Sequence, residues 1–391
     1  MLEASNVTGG RALTIRGLRE AQIGDLGLSL FRDSDFGVRS WSAELGIPVR
    51  RVENPNTLWL EGQLHTREST EPAVRLAWEA WDDLGNLASA LDVRMLDQIS
   101  LTEHLIDRGL PDEVVKIVGV ITTPILCASP DTVSALHAVR EAERWRHPAW
   151  QFNLGASRLP EMMTKRLGER VRHEAAVVAV EHNDHAVALT LHTGERVYGH
   201  RAVFAIPPPL LTEIEFDPPL PDLTRHALES VPMADAAVAL IQCRPRPWSA
   251  QVVLFADEPP MMVQDFARSD RRRHALLTVR ATGALARALG DRSHATAERD
   301  AIMSIVIRLN TLWPGMMDAH VASVAHHWGA QPWIRGLRSH WSPGSLMQAR
   351  GSLLQAEGRL HFAGEHTAIH PGSLEAMLQS ARRVASEIAA L

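Results

Sequence analysis

Gly358-Arg359-Leu360-His361-Phe362-Ala363-Gly364-Glu365-His366-Thr367, followed by Pro371-Gly372-Ser373-Leu374-Glu375-Ala376 and a helical stretch to Leu391, is the run that decides the fold. The first N–H groups of a helix have no partner within it, and the positive end of the helix dipole lies there. A helix opening after Pro371 therefore offers a place where negative charge is stabilised. A matching fragment stands at the other end of the chain: Met1-Leu2-Glu3-Ala4-Ser5-Asn6-Val7-Thr8-Gly9-Gly10-Arg11-Ala12-Leu13-Thr14. There one acidic residue is followed by Gly-Gly-Arg.

Together the two fragments resemble the flavin-containing monoamine oxidase / L-amino-acid oxidase superfamily. The resemblance implies that a carboxyl-terminal strand delivers Gly364 and Glu365 to the ribityl chain and pyrophosphate of FAD. Gly372, Ser373 and Leu374 would open the helix aimed at the flavin. Glu3 would accept the adenosine ribose hydroxyls, with Gly9, Gly10 and Arg11 against the pyrophosphate. In a dinucleotide-binding βαβ unit, that acidic residue follows a G-x-G-x-x-G turn by about 20 residues. No such turn precedes Glu3 in this numbering, so the expectation is an amino-terminally truncated member. Either the unit is lost, or a separate chain supplies it, or the start was placed too late.

Further landmarks of the resemblance fall in order along the chain. Gln22 to Phe31 is similar to the strand and turn beneath the flavin, where Gly27 permits close backbone approach to the ring and Leu28 follows. Val177 sits where the family supplies a backbone contact to adenine. Trp328-Gly329-Ala330-Gln331-Pro332-Trp333-Ile334-Arg335-Gly336 and Trp341-Ser342-Pro343-Gly344 resemble the approach to the last strand. Trp328 would pack beside the isoalloxazine, or else serve as a buried structural indole. The implied fold is α/β: a Rossmann-like FAD-binding domain lacking its first βα unit, interleaved with an α+β substrate domain. Residues 1–60, 152–216 and 331–391 would form the first, and 61–151 and 217–330 the second.

Local patterns agree with that order. Periodicity predicts helices from about Glu71 to Trp145, with Ala73, Leu76, Ala77 and Trp81 on one face and breaks at Gly109-Leu110-Pro111 and Ser129-Pro130. Ala186 to Leu191 before His192-Thr193-Gly194-Glu195 reads as half of a hairpin. Strands are expected at Ala236–Ile241, Val252–Phe255 and Leu276–Val279, then a long helix from Glu298 to Leu312.

Composition bounds the function classes. The 391 residues are 45% hydrophobic and 22% charged, enough for a large core and two domains. A net charge of -6 argues against a nucleic-acid partner, and Arg271-Arg272-Arg273 reads as a solvated loop. Cys127 and Cys243 lie in apolar sequence, as expected of buried thiols in a reducing, cytoplasmic compartment. No apolar run is long enough to span a bilayer, and the histidines lack the spacing of a metal site. Only two lysines occur, Lys116 and Lys165, in a chain rich in Arg and Ala, a bias expected of a high-GC bacterial genome.

Three departures from the family pattern bear on chemistry. Many members carry a lysine near flavin N5 in the strand before Pro-x-Trp, yet here the matching position, near Val238, is apolar. The aromatic pair that often clamps the substrate nitrogen is replaced by Leu337 or Arg338 and by Ser373. No cysteine lies near the flavin motifs in sequence, which points to non-covalent FAD. Candidate catalytic residues are Arg338, His340 and Trp341, with His366 and His370 close in sequence. Arg338 suits a substrate carboxylate, or else makes a surface ion pair or a pyrophosphate contact. The implied activity is hydride removal from the C–N bond of an amine or amino-acid-like molecule, within secondary metabolism. The alternatives are a desaturase or cyclase-type flavoenzyme, and a non-catalytic or partner-dependent subunit with an incomplete flavin site. The partners expected beside the substrate are further copies in a homo-oligomer or a separate chain supplying the missing amino-terminal unit.

Overall fold

A computed structural model describes residues 1–19, 22–54, 56–87, 93–248, 253–265, 275–293, 296–368 and 370–391. Arg271-Arg272-Arg273 and Val252 lie outside these described residues.

The strand Ala236–Cys243 is buried at every position, because side chains alternate between two covered faces. Ala237, Ala239, Ile241 and Cys243 pack toward Ile302, Ile305, Val306 and Leu309 of the helix Ala297–Leu312. Ala236, Val238 and Leu240 pack on the other side with Leu26, Leu28, Trp328 and Leu374. Each large apolar side chain so buried contributes roughly 1.5–3 kcal/mol. The strand belongs to a seven-stranded sheet in the order His320–His327, Ala236–Cys243, Ala275–Thr282, Met261–Asp265, Val253–Ala256, Thr57–Leu60 and Gln63–Thr66. Met261–Asp265 is a strand that the sequence reading missed; its Met-Met-Val-Gln-Asp has no polar alternation, since all five residues are buried.

The expected helical region resolves into Pro72–Asn86, Val93–Gln98, Leu101–Asp107, Asp112–Leu126 and Ala135–Trp145. Ser100 opens the third with a reciprocal capping box to Glu103, and Gly109 breaks the run with a left-handed φ of 76°. These helices bury Trp78, Trp81, Leu84, Ile121 and Val139 against Leu58, Phe255 and Met262 of the sheet.

The remaining strands form smaller sheets. Val177–His182, Val187–Leu191 and Arg196–Gly199 make an antiparallel meander, joined in parallel by Glu215–Asp217. Ala202–Phe204 runs parallel to Leu360–Phe362. The amino terminus contributes a single parallel bridge, Leu2 with Arg172. Glu3 holds this bridge through its N–H to the Arg172 carbonyl at 2.8 Å and its carbonyl to Ala175 N–H at 2.9 Å. Among the described residues, Leu360–Phe362 therefore pairs with one strand, and the Leu2 bridge stands apart from it.

Candidate functional site

Leu360–Phe362 is wholly buried and ends in Gly364, whose φ of 135° admits no ordinary side chain. The turn aims Glu365 into the interior, where it has no solvent exposure. Its Oε1 accepts from Arg11 Nη1 at 2.6 Å and Ser339 N–H at 2.9 Å. Oε2 accepts from Ser339 Oγ and Gly372 N–H, both at 2.6 Å. Burial alone pushes this carboxyl up, but Arg11 and the donors outweigh burial and hold it at about 2. The helix Leu374–Ala389 starts just beyond, with Ser373 Oγ accepting from Ala376 N–H at 3.1 Å. Gly372 is left-handed at φ 80°, and a Cβ there would overlap the Arg338 guanidinium.

Arg338 is not on the surface, as one reading of the sequence had it. It is 4% exposed and donates to Glu141 Oε2 at 3.0 Å and to the carbonyls of Ile125 and Pro371, each at 2.9 Å. Glu141 also accepts from Arg144 at 3.2 Å and Trp145 Nε1 at 3.0 Å, and Arg144 pairs with Asp35 at 3.0 Å. Burial opposes the charge on Glu141, but Arg338 and Arg144 hold it well below the usual carboxylate range. Around this group lies a cavity of about 40 Å³ whose wall includes Leu28, Arg32, Arg280, Gly372 and Ser373.

Sequence reasoning missed Arg32, Glu141, Arg144 and Arg280. Arg280 had a signal: it interrupts the apolar strand Leu276-Leu277-Thr278-Val279-Arg280-Ala281. In the ladder it stands directly opposite Val238, so both side chains leave the same face. The Val238 position is apolar as expected, but a guanidinium faces it from the next strand. Glu141 and Arg144 also had a signal, an acid and a base three apart on the buried face of Ala135–Trp145, which they share with His137.

Cys127 corrects a second expectation. Remote from both flavin motifs in sequence, it lies in the cavity wall with Gly372 and Ser373. Burial pushes its thiol up, which keeps it protonated and a poor nucleophile.

The other sequence candidates scatter. His340 is partly buried beside the site without lining the cavity, and burial together with Arg338 pulls it down to about 4. It is neutral at pH 7 and supplies no charge. Trp341 is fully buried among the helical core residues, apart from the cavity. Trp328 packs with Leu28, Leu337 and Leu374, and its Nε1 donates to the Leu26 carbonyl at 2.7 Å. Glu3 accepts from Ser5 N–H at 3.0 Å. Gly9 and Gly10 have φ of 111° and 49°, and Val177 begins the meander, half-buried. Among the described residues, no group of three or more His, Cys, Asp or Glu is placed to hold a metal. None of the described helices is long and apolar enough to cross a membrane.

Gly27 is needed for a closer reason than approach to a ring. A Cβ there would overlap the Arg11 carbonyl oxygen and meet Trp328 Cζ2 at 3.0 Å. Gly27→Ala is therefore expected to cost about 1–3 kcal/mol by overpacking. A urea unfolding midpoint equal to that of the unaltered protein would contradict this.

Comparison with known proteins gives the family and the fold. Residues 1–389 match the profile of a family described as flavin containing amine oxidoreductase. The flavin-containing amine oxidase B of Sus scrofa is 23% identical over 433 aligned positions, covering 99% of this chain and 81% of that protein. Putrescine oxidase bound to putrescine superposes with a TM-score of 0.87 at 19% identity, over 100% of this chain and 93% of that one. Cyclohexylamine oxidase from Brevibacterium oxydans gives 0.85 at 20% identity, over 99% and 92%. At such identities the two structures speak for the fold.

Proposed function

Because the chain belongs to the flavin-containing amine oxidoreductase family, and is on that ground an FAD-dependent oxidoreductase, we propose that it removes a hydride from the carbon beside nitrogen in an amine or amino-acid-like molecule. The observation that carries this reading is the junction of Glu365, Arg11, Gly372 and the start of Leu374–Ala389, drawn from both ends of the chain. FAD, when bound, supplies the hydride acceptor.

The residues present fit that group in chemistry. Arg338 Nε, His340 Nδ1, His366 Nε2 and His370 Nδ1 are buried polar atoms without a hydrogen-bond partner around this junction, where a polar cofactor would satisfy them. Glu3, Gly9, Gly10, Arg11, Gly364 and Glu365 are the residues we assign to its ribose and pyrophosphate, with Gly372, Ser373, Leu374, Leu28 and Trp328 near the ring. The room is closed down: about 40 Å³ against roughly 300–1,000 Å³ for pockets of small-molecule and cofactor size. A tricyclic ring enters only as lining side chains move aside. The high thiol pKa of Cys127 supports non-covalent binding.

The chain's own part is to bind and orient. Leu337, Arg338 and Ser373 stand in the cavity wall, and Leu337 or Arg338 with Ser373 are the positions where relatives are expected to carry an aromatic pair, which supports a specialised substrate, in keeping with secondary metabolism. Burial of Trp328, Leu28 and Leu337 excludes water from this side.

Titrating the protein with FAD and then mixing it anaerobically with amines and amino acids tests the proposal. Bleaching of the flavin absorbance with release of an imine or carbonyl product is expected; flavin that dithionite reduces but no amine or amino acid bleaches would overturn it. Glu3→Ala is expected to weaken FAD binding by about 1.5–3 kcal/mol, the range for a hydrogen bond to a charged group, read from flavin fluorescence. An unchanged dissociation constant would remove Glu3 from the assignment.

A further inference from the structure

The cavity wall carries four guanidiniums, Arg32, Arg144, Arg280 and Arg338, and one carboxylate, Glu141. Asp35 lies behind Arg144, so cations exceed anions by two (four against two). Arg144 and Arg338 use the two acids. Arg32 is left with neutral partners, Asn54 and the His147 carbonyl, and lies 4.0 Å over the Trp145 ring. Among the described residues, Arg280 donates only to the Pro124 carbonyl, at a long 3.5 Å. Its Nε and that of Arg338 are buried without a partner. Among the described residues, Arg280 has no carboxylate within reach.

An uncompensated buried cation is costly by several kcal/mol. Arg32 and Arg280 show the strain, since burial and neighbouring guanidiniums pull Arg32 down to about 9 and lower Arg280 as well. The group lacks an anion. The cavity of about 40 Å³ exceeds the roughly 10–15 Å³ of space that one water needs, so a small polar group such as a carboxylate can enter. A guanidinium presents paired donors that match a carboxylate's two oxygens.

Resting on the oxidation reading above, we propose that Arg280, with Arg338 beside it, is a carboxylate-binding site, and that the substrate is an amine bearing a carboxylate, an amino acid or its close analogue. A simple monoamine would bring a second cation into a wall that already has too many. Putrescine, the ligand of one structural relative, is the kind of molecule this wall rejects.

The test compares benzoate with benzylamine, of similar size and opposite charge, on the full FAD-loaded protein. Binding is followed by calorimetry and by tryptophan fluorescence, since Trp145 lines the cavity. Benzoate is expected to bind at least tenfold more tightly than benzylamine, and Arg280→Gln to weaken benzoate about tenfold or more. Arg280→Lys, which keeps the charge, should recover part of that loss. The benzoate preference of the unaltered protein stands as a readout even if Arg280→Gln does not fold. Tighter binding of benzylamine, or benzoate affinity unchanged in Arg280→Gln, overturns the proposal. The two readings fail separately. Arg280-dependent benzoate binding without turnover of any amine counts against the oxidation alone. Amine turnover with benzoate binding indifferent to Arg280 counts against the carboxylate site alone.

Discussion

Glu365→Ala is expected to destabilise the protein by about 3–5 kcal/mol, the range for removing one partner of a buried ion pair. The carboxylate is fully buried and accepts four hydrogen bonds, one of them from Arg11, itself 8% exposed. Its loss strands that guanidinium and leaves Ser339 and the Gly372 N–H without an acceptor. Acid should reproduce the effect. The folded pKa, about 2, is depressed below the ordinary 4.5, so the stabilisation is complete above pH 4.5 and is lost as pH falls through about 2. Its size, on the order of 3 kcal/mol at about 1.4 kcal/mol per pH unit, agrees with the mutational range. Guanidinium unfolding of both proteins at pH 7 and pH 3 checks this. The gap between them should narrow at the lower pH, and a constant gap would assign the loss to packing.

Glu141→Ala should be about as damaging, also about 3–5 kcal/mol, because it leaves Arg338 and Arg144 facing Arg32 and Arg280 with only Asp35 to balance them. The informative variant is the double one. A buried pair replaced by apolar residues of similar volume is often close to neutral, so Glu141→Leu with Arg338→Leu should recover most of the loss that Glu141→Leu causes alone. A double-variant cycle measured by denaturant unfolding gives the coupling directly. Additive losses would show that Arg338 and Glu141 act separately and would remove the ion pair from the account of the site.

What could be read from sequence was whatever rests on local grammar. Gly364, Gly372 and the helix after Ser373 announce themselves by residue type and spacing, as do the hairpin around Thr193-Gly194 and the helices broken at Gly109 and Pro111. The strand Met261–Asp265 did not, because burial on both faces erases the alternation that marks a strand. The arginine cavity was illegible for another reason. Arg32, Glu141 with Arg144, Arg280 and Arg338 come from four segments that only the tertiary fold brings together. Arg32 taken singly reads as an ordinary surface charge. Arg280, set in an apolar strand, and the Glu141–Arg144 spacing carried local signals, and Arg338 was marked by its place between the cofactor motifs. Cys127 shows the same limit, since distance in sequence carried no information about distance from the cavity.

The Arg11–Glu365 pair joins positions 354 apart in the chain. At roughly 5–20 residues per second of synthesis, the arginine waits on the order of 20–70 seconds for its partner to emerge from the ribosome. Gly372 and Ser373, which complete the junction, come later still. The meander and the helical region have all their strands and helices earlier and can fold while translation continues. On the proposed assignment of Arg11, Glu365 and Gly372 to the cofactor, capture waits for the last strand and helix, and a ribosome-stalled chain ending before Gly364 should hold no FAD, however well its amino-terminal segments have folded.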